Sequence, residues 1–290
     1  MSRARTLPFK CSAVISDVDG TLVTDEKILT SRSVSAVEQL RANGIIFSIT
    51  SARPPRGLRN LLGLLGITTP LIGFNGGVIA SPDFAIITEH LLSPDVARHT
   101  VEMLDASGAQ VWVFSGQDWL IRDAEGSYVG LEQRTVSFEP TVVEDFGPAL
   151  DAAAKVVGVS ADFGLLEGCE RDVKNALGDD AFIARSQPYY LDITHPLANK
   201  GTALTELAKL MGIPLAEIAV LGDSANDVAM FERSGLSIAM GNASAEVQAA
   251  ADFVTDRNRD DGFANAIDRF VLRGKPSNER GRIAQAGGRA

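Results

Sequence analysis

Asp17 and Asp19 stand two residues apart at the end of the apolar run Ala13-Val14-Ile15, and Gly20 follows at once. Inside an ordinary strand two like charges so close would only weaken the element. Just past the end of a strand they do something else: residues two apart on an extended segment point the same way, so both carboxyl groups aim at one spot. Gly20 then lets the backbone turn sharply. Further along, Ser51 follows the run Ile46 to Thr50, Asn75 stands beside Gly76 and Gly77, and Asp223 closes Ile218 to Gly222 with Asn226 and Asp227 just behind it. Lys200 opens a helical stretch. Several carboxylates at one point repel, and a hard divalent cation with oxygen ligands is the usual remedy; Mg2+ takes a few carboxylates and keeps several waters. With that charge offset, one Asp can attack phosphorus as a nucleophile, while a second protonates the leaving oxygen and later activates water. Hydroxyl, amide and ammonium donors stabilise the remaining oxygens. The chemistry that suits this set of residues is phosphoryl transfer.

These residues converge only if a fold carries five separate segments to one edge. In an open parallel sheet, ligands sit outside the carboxyl ends of the strands. The first third of the chain alternates accordingly. "CSAVISD" is a short apolar run suited to a strand buried on both faces. Thr30 to Asn43 carries Val34, Val37 and Leu40 at helical spacing, with hydroxyls to cap its start and Gly44 at its end. "IIFSIT" reads as a second strand, Pro54 and Pro55 open a helix ending near Gly66, and "PLIGF" reads as a third strand. This βαβαβ order predicts a doubly wound sheet.

The middle of the chain differs. "AQVWVFSG" and "DWLIRD" read as a hairpin, "KVVGVS", "AFIARS" and "YYLDIT" as further strands, with helices at about 94–107 and 162–177. Alternation then resumes: a helix from Asn199 to Met211, the strand "EIAVLGD", a helix from Ala225 to Ser234, the strand "LSIAM" and a helix from near Ser244. The expected fold is α/β, a doubly wound, mainly parallel, Rossmann-like core (residues 1–92 and 196–272) interrupted by an inserted α+β domain (93–195). Residues 273–290 hold five basic residues and one acid among Gly, Ser and Pro, and read as a disordered basic tail.

Composition narrows the function classes. A chain of 290 residues with 45% hydrophobic and 22% charged residues is globular in make-up. Its apolar runs fall short of a bilayer span, so no membrane role is expected. The formal charge of -10 argues against holding nucleic acid by its phosphates, while leaving room for a small anion in a local basic cleft. Two cysteines, Cys11 and Cys169, make no disulfide framework or metal motif, and the start of the chain has no apolar stretch of signal-peptide length. A cytoplasmic location is expected.

"DVDGTL" at 17–22 with its Val18, "SAR" at 51–53, Lys200 and "GDSANDVAM" from Gly222 resemble, in order, the four motifs of the haloacid dehalogenase superfamily of phosphatases. The insertion after the third strand resembles the Cof-type group with a C2 cap, subclass IIB. "NGGVI", "LDITHPLANKG" and "IAMGNASAEVQ" resemble that group as well, whereas the insertion is similar in layout only. The resemblance implies Asp17 as nucleophile and Asp19 as general acid and base. It implies Mg2+ held by Asp17, the carbonyl of Asp19 and Asp223, with Asp227 in support. Lys200 would offset the charge of Asp17 and the transferring phosphate. Phosphate or substrate binding is implied for Thr21, Ser51, Ala52, Arg53, Asn75, Gly76 and Asn226. One departure stands out: Ser51-Ala52-Arg53 replaces the usual Thr-Gly-Arg, keeping the hydroxyl but adding a methyl. The implied activity is Mg2+-dependent hydrolysis of a phosphate monoester of a small metabolite, a sugar phosphate or similar, through an aspartyl-phosphate. The alternatives are a phosphomutase of the same superfamily and a sugar-phosphate sensor without turnover.

Other conspicuous residues have blander readings. His195, before Pro196, suits a hinge or surface position. Trp112, Trp119, Tyr189 and Tyr190 suit packing of the insertion, and Arg122 and Arg185 suit solvated strand positions rather than a second anion contact. Substrate identity and oligomeric state have no signature in the sequence.

Overall fold

The structure, a computed structural model, describes residues 9–272, so the basic tail at 273–290 lies outside the described residues. Within them, the chain up to Phe47 and from Ile213 onward forms one compact unit, and Ser48–Gly212 forms another. The fold is mixed α/β, a Rossmann-like core with a separate antiparallel sheet region, as the alternation predicted.

In the first unit, Ala13–Asp17 pairs in parallel with Ile218–Gly222, from Ala13 opposite Ile218 to Ser16 opposite Leu221. Leu236–Ala239 and then Phe253–Val254 continue the parallel order. Every residue of the first three of these strands is buried, which explains why they read as unbroken apolar runs rather than as alternation. The helix Ser31–Ala42 begins where expected. Thr30 caps it by accepting the Ser33 N–H, and Ala36, Val37 and Leu40 form its buried stripe. The helix expected over 225–234 is shorter: a 3₁₀ turn, Ala225–Asp227, is followed by one α turn, Val228–Phe231.

Strand Ile46–Thr50 runs into the second unit, where Thr50 pairs in parallel with Ile72 of Leu71–Gly73. Val78–Ala80 and Ile86–Glu89 then extend this edge antiparallel, two strands that the pattern did not predict. The separate sheet has six strands, ordered Phe182–Gln187, Tyr190–Thr194, Ala153–Val159, Gln110–Ser115, Asp118–Ile121 and Thr141–Val142. Helices Pro94–Ser107 and Phe163–Leu177 close one face over Val111, Val113, Val156, Leu191 and Ile193. The other face packs Trp112, Phe114, Trp119 and Tyr190 against Phe74 and the helix Val129–Val136. The sequence pattern does not predict that helix, since Gly130 and its sparse apolar residues give no helical stripe.

Candidate active site

Asp17 is the last residue of its strand, and Asp223 follows the last residue of the neighbouring one. Parallel pairing in register therefore brings both to the same sheet edge. Asp227, fully buried, joins them: an oxygen of each of the three carboxylates lies within 4.8 Å of the others. Asp227 is placed by a reciprocal cap. Its Oδ2 accepts the N–H groups of Asp223 and Ser224, each at 2.9 Å, while the Ser224 hydroxyl accepts the Asp227 N–H. Thr21 donates its hydroxyl to Asp223 Oδ1 at 3.0 Å, so it acts on an acid of the cluster. The set consists of hard oxygen donors crowded on one point, which fits a small divalent cation and no soft metal.

Asp19 stands apart from this cluster. Its carboxylate pairs with Lys27 Nζ at 2.8 Å, both side chains being partly exposed. Gly20 holds φ +82, and a methyl there would lie 2.3 Å from Asp223 Oδ2, so glycine is required for the loop to pass over that acid. Asn242 Nδ2 donates to the Gly20 carbonyl at 2.9 Å and reaches Asp223 Oδ2 at 3.4 Å. Asn242 Oδ1 in turn accepts the Asn258 N–H, and Asn258 Nδ2 donates to the Val23 carbonyl. Lys27, Asn242 and Asn258 were missed in the sequence. Asn242 had a weaker signal, standing past the strand Leu236–Ala239 after Met240 and Gly241.

The second unit assembles the rest of the expected residues around one turn. Ser51 is buried at the end of its strand; its N–H donates to the Ile72 carbonyl, and its hydroxyl accepts the Arg53 N–H at 3.1 Å. The Asn75 N–H donates to the Ser51 carbonyl and the Phe74 N–H to that of Arg53, lacing "SAR" to "FNG". Phe74 and Asn75 both take positive φ, 49 and 55, and Gly76 takes 105. A methyl on Gly76 would sit 2.4 Å from the Asn199 carbonyl oxygen. That close approach seats the turn on the start of helix Lys200–Met211, where Asn199 is the cap and Lys200, the first residue, is buried. Ala52 is half-buried within the turn. Arg53 donates from Nη1 to the Thr135 carbonyl at 2.7 Å. Ser51, Ala52, Arg53, Asn75, Gly76 and Lys200 are thus neighbours in one unit, while Asp17, Asp19, Thr21, Asp223, Asn226 and Asp227 belong to the other.

A family profile for haloacid dehalogenase-like hydrolases matches residues 14–267. The chain belongs to that family. The hydrolase is 26% identical to a 5-amino-6-(5-phospho-D-ribitylamino)uracil phosphatase of Bacillus subtilis, over 88% of this chain and 94% of the other. Among solved structures it is similar to a haloacid dehalogenase-like hydrolase from Bacteroides thetaiotaomicron, with 27% identity and a TM-score of 0.82 over 90% of this chain and 99% of that one. It also shares its fold with a subclass IIB sugar phosphatase, at 24% identity and a TM-score of 0.78 over 89% and 98% of the two chains.

Several side chains of the hydrolase have structural duties. Trp112, Trp119 and Tyr190 are buried in an aromatic cluster. Arg185 is taken up by Glu170 and Glu167, and Arg122 by Asp105 and the Phe146 ring. His195 stacks on His90 at 5.5 Å, and burial beside that second imidazole holds its own pKa below the usual value. No helix among the described residues is long and apolar enough to cross a membrane.

Proposed function

We propose that this hydrolase is a Mg2+-dependent phosphatase acting on a phosphate monoester of a small metabolite, a sugar phosphate or a close analogue. The observation that carries the reading is the cluster of Asp17, Asp223 and Asp227 at the carboxyl end of two paired parallel strands. Asp17, Asp223 and the Asp19 carbonyl would hold Mg2+, which when bound offsets the negative charge of the carboxylates and the phosphoryl group. The Asp17 carboxylate attacks phosphorus; an O–P bond forms to Asp17 as the bond to the leaving oxygen breaks. Asp19 gives its proton to that oxygen, releasing the alcohol. Asp19 then takes a proton from a water that attacks the phosphoryl group, and Asp17 is freed with inorganic phosphate.

Thr21, Asn242 and Asp227 keep Asp223 in place for these steps, and Asn226 orients the same loop. Ser51, Ala52, Asn75 and Gly76 would contact the phosphoryl oxygens, with Arg53 beside them. Lys200 balances the charge on Asp17 and the phosphoryl group. Residues 93–195 are in this reading the inserted cap domain, which selects the substrate, and 1–92 with 196–272 are the core domain. A relative named for a phosphorylated ribityl compound supports the sugar-like substrate class. No nucleic-acid or membrane partner enters this reading. A cytoplasmic location agrees with the two free thiols. The test is phosphate release from a panel of phosphorylated metabolites, with Mg2+ and with chelator, by wild type and Asp17→Asn. Metal-dependent release that disappears in the variant is expected; release that persists in folded Asp17→Asn refutes the assignment of the nucleophile.

A further inference from the structure

Two helical segments of the second unit bring polar, basic faces to one cleft. Pro55–Leu58, a 3₁₀ turn, runs straight into the helix Arg59–Leu65, so Arg56, Arg59 and Asn60, spaced i, i+3 and i+4, share one face. On the helix Val129–Val136 the spacing recurs: Gly130, Gln133, Arg134 and the capping residue Ser137 share one face. Gly57 lets the two segments pass closely, since a methyl there would lie 3.2 Å from Val136. Beside that contact, Arg56, Arg59, Asn60, Ser137 and Phe138 line a cavity of about 220 Å³. Ser137 and Phe138 also line a wider one, about 540 Å³, together with Gly130, Gln133 and Arg134. None of Ser51, Asn75, Gly76 or Lys200 lines either cavity.

Elsewhere in this unit arginines are met by acids: Arg98 by Asp151, Arg122 by Asp105 and Arg185 by Glu170. Arg56, Arg59 and Arg134 meet no carboxylate among the described residues. Arg56 lies over the Phe138 ring and Arg59 over the Phe84 ring, each at 4.7 Å. Stacking fixes the plane of a guanidinium while leaving its in-plane N–H donors unspent. The Arg134 guanidinium folds back over Gly130, where its Nη1 would lie 3.8 Å from an added methyl. Glu139, the one acid on the lining among the described residues, is exposed and accepts from Gln133 Nε2 at 3.5 Å. Three cations against one acid, in a chain of net charge -10, repel one another, and a bound anion offsets that repulsion.

We infer that this cleft binds a diphosphate group, separately from the reaction centre. Arg56 and Arg59 take one phosphoryl group in the first cavity, their planar forks matching its oxygens two at a time. Arg134 and the Gln133 amide take the other in the second cavity, with Ser137, on the lining of both, between the two. Arg53 Nη1 already holds the Thr135 carbonyl of the same helix, so a ligand that ties this helix to the segment 55–60 steadies the chain leaving the Ser51–Arg53 turn. The ligand acts as an effector, and the site stands whether or not the phosphatase reading does.

The experiment is calorimetric titration of the full chain with sodium pyrophosphate in EDTA, where no metal draws an anion to Asp17, Asp223 and Asp227. Wild type is compared with Arg59→Gln, Arg134→Gln, Gly130→Glu and Ser51→Ala. Each arginine variant loses charge-assisted hydrogen bonds, so its Kd should rise about 10- to 100-fold over wild type. Gly130→Glu sets a carboxylate four residues before Arg134 and should weaken binding as strongly; it replaces an exposed helical glycine, so the fold is not put at risk. Ser51→Ala should bind as wild type does. ADP, titrated in parallel, tells the two sources of a diphosphate apart: a Kd no higher than that of pyrophosphate assigns a nucleoside diphosphate, and a higher one assigns the inorganic ion. No binding to wild type, binding that survives the three cleft variants, or orthophosphate bound as tightly as pyrophosphate overturns the inference. Phosphate release from the metabolite panel is read separately: Arg59→Gln keeps the basal rate, and a wild type without turnover refutes the phosphatase reading while leaving the titration to decide the cleft.

Discussion

Replacing Asp227 by Ala tests how the acidic cluster is built. Its side chain is fully buried, and Oδ2 accepts two backbone N–H groups at 2.9 Å, those of Asp223 and Ser224. Deleting the carboxylate leaves both donors without a partner, at about 1–3 kcal/mol for each donor kept from water. Ser224 is exposed and its N–H can turn to solvent, whereas Asp223 is half-buried. The low end therefore applies to the first and the high end to the second, a total of about 4 kcal/mol. With a urea slope of roughly 3 kcal/mol/M for a chain of this size, the unfolding midpoint should fall by about 1.3 M. Asp227→Asn keeps one acceptor oxygen without the charge, and about half that fall is expected. The two variants are compared with wild type by urea unfolding followed by circular dichroism, and by phosphate release under saturating Mg2+. Turnover should drop far more than stability, because Asp223 loses the anchor that aims it at Asp17. A midpoint shift under about 0.3 M for Asp227→Ala would mean that the carboxylate does not hold the 223–224 turn, and the account of the cluster would be wrong.

Gly20→Ala forces a side chain into φ +82, and its methyl would meet Asp223 Oδ2 at 2.3 Å. Beyond about 1–2 kcal/mol of backbone strain, the Asp223 carboxylate must swing away, so the Mg2+ concentration for half-maximal turnover should rise at least tenfold; an unchanged metal dependence would sink this reasoning. Lys27→Met breaks the 2.8 Å pair with Asp19, whose side chains are 44% and 30% exposed. Such a pair is worth at most about 1 kcal/mol, or roughly fivefold in rate, and a hundredfold loss would show that Lys27 contacts the substrate directly. Burial raises the Cys11 thiol to about 11. The raised value favours the neutral thiol, leaving a thiolate fraction of about one in a thousand at pH 8. Alkylation by iodoacetamide, followed by mass spectrometry, should be slow at pH 8 and accelerate towards pH 10; rapid native-state labelling at pH 8 contradicts the burial argument.

Asp17 and Asp223 were legible as edge residues because each follows a rule that operates over a few residues: an apolar run ends and a polar residue stands at its edge. The hydroxyl cap at Thr30 was legible for the same reason, its side chain binding an N–H three residues on, whereas the equivalent caps at Ser93 and Ser244 went unread. The bond from the Thr21 hydroxyl to Asp223 Oδ1 had no local sign, because the two residues stand far apart in the chain. Lys27 gave no sign, because its pairing with Asp19 depends on a tight loop in which Lys27 itself takes φ +63. The pair Lys155 and Asp192 was equally hidden, lying in separate strands that only the register of an antiparallel sheet makes neighbours.

The order of strands and helices, the buried character of the parallel strands and the residues at their ends were set locally, by side-chain period, caps and turn formers, and a single sequence carries that information. What only the tertiary structure decided is which of these ends share a point: that Asp17, Asp223 and Asp227 crowd within 4.8 Å, that Gly76 seats on Asn199, and that a lysine and an aspartate meet inside an apolar sheet face. Those juxtapositions follow from strand register and close packing between segments far apart in the chain, and no local preference of either segment specifies its partner.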